Sequence, residues 1–187
     1  MVRDAADLEA LRALYDAKAS AEEDAADALL DAVPVRRSGD LRGRVMLAKG
    51  EPGDADIEAG EALAGPDGDA ARSALEALGI ATDGILALVT RPAALTEPTV
   101  AAARLARYIE AADPSLVIAL DATAAADLAE AAGLSGLPFG EPARVSGRTV
   151  LAADGLEASL TDDARKKRVW AHFRSLGTHE GRPGRRP

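Results

Sequence analysis

Four short, almost wholly apolar runs constrain this chain most: "RVMLA" at 44–48, "ILALVT" at 85–90, "LVIAL" at 116–120 and "TVLAA" at 149–153. Near-continuous apolarity over so few residues reads as strands covered on both faces. Helical stretches separate them, each with a stop signal: Asp69 to Leu78 before Gly79, Pro98 to Ala112 before Asp113-Pro114, and Thr123 to Ala132 before Gly133. Pro98 suits a first helical turn, where its missing N–H costs little, and Thr123 is placed to cap the helix after "LVIALDA". Strand and helix in alternation predict a three-layer α/β/α fold around a mostly parallel four-stranded sheet. Ligands of such sheets bind beyond the carboxyl ends of the strands, here the loops after Ala48, Thr90, Leu120 and Ala153.

Composition narrows the chemistry. Aromatic residues make up only 3% of the chain against 48% hydrophobic, so the core is built from Ala, Val, Leu and Ile with close backbone packing. There is no cysteine, which excludes disulfides, thiolate nucleophiles, iron–sulfur clusters and cysteine-held zinc. His172 and His179 are the only histidines, too few for a histidine-rich metal site, and the expectation is no metal and no cofactor. No secretory leader pattern and no long apolar run stand out, so the expected setting is cytoplasmic, without membrane association. A net charge of −9 opposes general attraction to nucleic acid but leaves room for a local basic strip.

The ends differ from the middle. Residues 1–34 are Ala-rich and acidic, with Leu8, Leu11, Leu14 and Tyr15 and then Leu29, Leu30 and Val33 at helical spacing. They predict one helix, or two broken within "KASAEEDAAD", ending at Pro34. Residues 35–177 form the α/β domain, closed by the basic amphipathic helix "DDARKKRVWAHFRSL". Residues 178–187 read as a disordered basic tail.

Several polar groups have an ordinary reading. Glu51, Asp54, Asp56 and Glu58 lack calcium-loop spacing and read as a solvated acidic loop. Asp121 and Thr123 read as turn and cap residues, and His172 as a structural or surface histidine with no catalytic partner in view. Arg165, Lys166, Lys167 and Arg168 read as a solvated face, paired with the acidic N-terminal helix, or as contacts for phosphates or an acidic partner.

From Arg44 to Leu176 the chain resembles the uracil-DNA glycosylase superfamily, in particular its iron–sulfur branch. "VMLAKGEPG" and "GEALAGPDG" fall in register with that branch's strand, Gly-Glu-Ala-Pro-Gly-like turn and following Gly-x-Pro-Phe-x-Gly-x-x-Gly segment, matching Pro52, Gly53, Gly60, Gly65, Pro66 and Gly68. "LALVTRP" and "EPT" keep the Arg91-Pro92 and Pro98-Thr99 pairs, and "LVIALDATAA" is similar to the family's Leu-Gly-x-Thr-Ala-Ala turn with Asp121 for glycine.

The resemblance implies base extrusion, capture of uracil by stacking and edge hydrogen bonds, and cleavage with a uracil anion leaving. It also implies where this chain departs. Gly50 stands at the position of the water-positioning acid, with Glu51 one place along; Leu63 stands for the stacking aromatic; and Leu86 stands for the base-reading asparagine. Asp154 stands where the family has the histidine that stabilises the leaving anion, and an ionised carboxylate there repels it. Loss of acid–base help alone costs about 10²- to 10⁴-fold. The expectation is therefore a catalytically degenerate glycosylase-like protein with a binding, regulatory or structural role, an unknown protein partner or self-association, and only a weak case for nucleic acid. The alternative is an active glycosylase of altered base specificity that uses Glu51 or Asp154.

Overall fold

The structure, a computed structural model, describes residues 5–94 and 96–177. The tail read at 178–187 lies outside the described residues. Among the described residues are six strands and seven helices. The four apolar runs become β2 (Val45–Lys49), β3 (Leu86–Val89), β4 (Leu116–Ala119) and β6 (Arg148–Ala152), and neighbours among them pair in parallel. The sheet is wider than the expected four strands because β1 (Ser38–Gly39) and β5 (Ala143–Val145) add an antiparallel edge on either side, in the order β1-β3-β2-β4-β6-β5. Both edge strands are too short and too polar for an apolar run to announce them.

Alternation along the strands splits the core in two. Val45, Leu47, Val89, Ile118 and Leu151 face one layer, where α3 (Pro66–Ala77) and α7 (Asp163–Ser175) bring Leu75, Val169 and Phe173. Met46, Ala48, Leu86, Leu88 and Val117 face the other, where α1 (Ala5–Asp27), α4 (Pro98–Ala112) and α5 (Ala122–Ala131) bring Ala26, Leu105, Tyr108 and Leu128. Two short helices, α2 (Asp54–Ala59) and α6 (Leu156–Ser159), follow β2 and β6 directly.

Local chemistry shifted several boundaries. The helix expected from Asp69 starts at Pro66, because proline at the first helical position needs no N–H partner and its fixed φ already suits a helix. The cap of α5 is Asp121 rather than Thr123: its Oδ1 accepts from the Ala124 N–H at 2.8 Å. The N-terminal segment is a single helix through "KASAEEDAAD", where alanine and glutamate favour helix, but it stops at Asp27 rather than at Pro34 and leaves Leu29, Leu30 and Val33 outside it. The pairing expected between that acidic helix and basic α7 is not made within the chain, since α1 packs on α4 and α7 lies on the opposite layer.

The grip of α1 is ionic at its end. Arg104 is fully buried and donates from Nε to Asp27 Oδ1 at 2.9 Å and from Nη1 to the Val89 carbonyl at 2.8 Å. The Tyr108 hydroxyl donates to the same Asp27 oxygen at 3.0 Å, and the guanidinium lies 4.9 Å from the Tyr108 ring centre. Replacing Asp27 by Asn strands a buried guanidinium. A fully buried pair loses about 3–5 kcal/mol when one member is removed. Asp27 is 30% exposed, so Asp27→Asn is expected to cost on the order of 2 kcal/mol, read as a lower urea midpoint at unchanged slope.

Candidate functional site

Among the described residues, two clefts lie at the carboxyl ends of the parallel strands, the side their topology predicts. One, of about 800 Å³, lies between the loops after β2, β4 and β6; the other, of about 600 Å³, lies between the loops after β2 and β3. Glu51 and Pro52 line both, so the "KGEPG" turn is the wall between them.

Beneath that turn is a buried lysine. Lys49 closes β2, is 5% exposed and points into the layer of α3. Its Nζ lies 2.9 Å from Asp56 on α2, 2.7 Å from Asp67 on α3 and 2.9 Å from Glu157 on α6. Each carboxylate stands in the first turn of its helix, where the exposed N–H groups favour negative charge. Asp56 is further held by the Gly53 and Ala64 N–H groups, each at 2.9 Å. Burial opposes the lysine's charge, but hydrogen bonds to Asp67, Glu157 and Asp56 outweigh it, and the ammonium titrates above its usual range. The ammonium occupies the centre of the three carboxylates. Gly53 forms the lid: a Cβ there would come within 2.9 Å of Lys49 Nζ and of Glu157 Oε1.

Asp56 therefore leaves the solvated acidic loop to which its neighbours belong; it is 1% exposed, whereas Glu51, Asp54 and Glu58 are exposed. Sequence pattern hid this because the partner is a lysine seven residues earlier at the end of a strand. The signal available was that lysine itself, a charge at the carboxyl end of an otherwise apolar run.

Gly50 is bound on every side. Its N–H donates to Asp121 Oδ2 at 2.8 Å, and its carbonyl accepts from the Arg91 N–H at 2.9 Å and the Thr90 hydroxyl at 3.3 Å. A Cβ at residue 50 would lie 2.7 Å from Asp121 Oδ1 and would overlap Thr123 Cβ. Arg91 in turn makes a two-pronged pair with Asp127 on α5, Nε to Oδ2 at 3.1 Å and Nη2 to Oδ1 at 2.7 Å, and the Thr90 hydroxyl reaches the same Oδ2 at 2.6 Å. The hydrogen bond to Asp127 raises the guanidinium's proton affinity, with burial opposing and Glu51 contributing. Asp127, 1% exposed in an apolar helix, was the second polar group that the sequence reading missed.

Of the residues aligned with the base pocket, Pro52 and Gly53 line the larger cleft, but Leu63 and Leu86 do not. Leu86 opens β3 opposite Met46 and is fully buried on the α4 layer, well below the strands' carboxyl ends. Leu63 is 1% exposed in the α3 layer, with a left-handed φ of 55° and its carbonyl packed on Gly68. Both side chains fill the core, which is what leucine contributes at positions sealed by two helical layers.

The far wall of the larger cleft carries Asp154, Gly155 and Glu157. The Asp154 N–H donates to His172 Nδ1 at 3.3 Å, and the His172 ring stacks on Phe139 at 6.4 Å between centroids. Burial lowers the imidazole's proton affinity, Asp154 partly restores it and Arg168 lowers it further. The basic residues 165–168 do not form one strip. Arg165 lines the cleft, Lys166 and Lys167 line a groove against α3, and Arg168 reaches towards Asp154 at 4.0 Å. Six carboxylates (Glu51, Asp54, Asp67, Asp121, Asp154 and Glu157) against two cations (Lys49 and Arg165) make the cleft anionic.

Lys49→Met leaves Asp56 and Asp67 buried without a counter-charge and is expected to cost about 3–5 kcal/mol in a denaturant titration, whereas Glu157→Gln, at a 57% exposed side chain, costs under about 1 kcal/mol. Lys49→Met combined with Asp56→Asn and Asp67→Asn is expected to recover most of the loss. The lysine's stabilisation is complete below its ordinary value of 10.5 and disappears only as pH climbs through its higher folded value. His172 works in the opposite direction: its folded value lies below 6.5, so its contribution is full above that pH and is lost on acidification. His172→Gln is expected to flatten the fall in melting temperature between neutral and mildly acidic pH.

No family model matches the chain and no curated protein matches it, so the cleft is read from its own chemistry.

Proposed function

We infer that the chain is a catalytically degenerate relative of the uracil-DNA glycosylases, an α/β scaffold whose present role is binding or structural rather than base excision. The observation that carries this reading is the closure of position 50. In the resemblance, this is where the water-positioning acid stands; here Asp121 and Thr123 occupy the space that any side chain would need. In the resemblance Asp121 stands where the family has glycine, and here its carboxylate binds the Gly50 N–H, so the missing acid at 50 and the acid at 121 fit together.

Charge supports the same reading. A glycosylase site must admit a phosphate backbone and stabilise a departing uracil anion. The cleft's six carboxylates oppose both, and Asp154 stands on its wall. With Leu63 and Leu86 in the core, no residue at those aligned positions is available to stack on or read a base.

A second reading, an active glycosylase of altered specificity, rests on Glu51, which is exposed at the rim shared by both clefts beside Arg91. Asp154 serves this reading less well, since its carboxylate faces Arg168 of α7 at 4.0 Å.

Pure full-length protein is expected to release no uracil from single- or double-stranded oligonucleotides, and Glu51→Gln and Asp154→Asn to behave the same. Excision of uracil that either variant abolishes would sink the degenerate reading; excision from a panel of other damaged bases, lost in Glu51→Gln, would establish the second. Gly50→Asp is expected to destabilise the fold by about 1–3 kcal/mol through overpacking and to yield no excision.

A further inference from the structure

Helix α1 runs past the helix it packs on. Asp27 meets Arg104 and, further back, Glu22 meets Arg107, so α1 and α4 lie antiparallel, and α4 ends at Ala112. The turns of α1 before about residue 16 consequently have no α4 beside them, an overhang of roughly 16 Å at 1.5 Å per residue. Leu8, Leu11 and Tyr15 recur three and four apart on the face that buries Ala19 and Ala26 further along. They are nevertheless 45%, 40% and 62% exposed, and Leu14 beside them is 66% exposed. A packing stripe thus continues for two further turns and, among the described residues, stays largely exposed.

The opposite layer holds an apolar groove of about 690 Å³ between α3 and α7. Leu156, Val169 and Phe173 line its interior, Trp170 stands 38% exposed at its wall, and Lys166 and Lys167 edge it. The two surfaces are complementary in charge as well as apolarity. Asp7, Glu9 and Asp16 outnumber Arg12 along the overhang, whereas the lysine pair outnumbers Asp163 at the groove. Because α1 belongs to the α4 layer and the groove to the α3 layer, stripe and groove face away from each other within one chain.

We propose that the chain self-associates, with the Leu8–Tyr15 stripe of one copy seated in the α3/α7 groove of another. The contact is heterologous, joining two different surfaces of the same molecule. Rim charges set its orientation and salt dependence, and the buried leucines and Trp170 supply most of its affinity. It does not depend on the glycosylase-like reading.

The chain's single tryptophan reports directly on the groove. On concentrating the full-length protein, sedimentation equilibrium is expected to show mass above the monomer, and Trp170 emission to move to shorter wavelength over the same range. Leu11→Glu with Tyr15→Ser changes only exposed positions; it is expected to keep the far-ultraviolet circular dichroism of the parent yet abolish both signals. Lys166→Glu with Lys167→Glu is expected to weaken association about tenfold, and added salt to weaken the parent likewise. A monomer at every concentration overturns the proposal. So does an oligomer whose Trp170 emission does not move and which ignores the lysine reversals, because its contact would lie away from the groove.

Discussion

The fold is organised around one ammonium group. Lys49 ends the central strand β2, and three helices begin with carboxylates aimed at it. Isolated burial of such a charge costs several kcal/mol, so the lysine is tolerable only with its partners in place. The carboxylates, in turn, are crowded acids that repel one another without it. This mutual dependence fixes where α2, α3 and α6 start relative to the sheet, and those starts form the walls of the larger cleft. Gly53 sits so close above the lysine that a Cβ there would crowd Lys49 Nζ and the Glu157 carboxylate.

A second knot beside it does the same for the opposite layer. The Gly50 peptide joins β2 to Asp121 and to the end of β3, and Arg91 and Thr90 carry the connection on to Asp127 of α5. The carboxyl edge of the sheet is thereby cross-linked on both faces by polar groups that are nearly all satisfied. Such networks favour a single arrangement of the loops. Groups that hold each other this tightly keep the loops of that edge in place.

Much of the architecture was legible because it depends on local pattern. Apolar runs of four or five residues gave β2, β3, β4 and β6, and Pro98 and Asp113-Pro114 bounded α4 at its observed ends. What escaped depends on which way the chain turns between partners. Asp56 looked solvated among Glu51, Asp54 and Glu58 because sequence spacing alone does not show the turn folding back to bring it over Lys49. Asp127 looked like one more acid on an Ala-rich helix until Arg91 and Thr90 met it. Motif spacing places Leu86 in a base pocket, but strand register sets it opposite Met46 at the start of β3, fully buried and away from the carboxyl-end clefts. A motif fixes sequence distance; only register fixes depth in the sheet.

The Arg104 contact bears on where this domain begins. Composition draws a boundary at residue 34, between an acidic helix and an α/β unit. Yet Asp27, on the near side of that line, is the counter-ion of a guanidinium sealed inside the far side and resting on the carbonyl that ends β3. Divided there, the larger piece would keep a cation in its interior and lose the anion that makes its burial tolerable. The last turns of α1 are therefore an integral part of the domain, while its first turns project beyond it: a single continuous helix is interior structure at one end and available surface at the other.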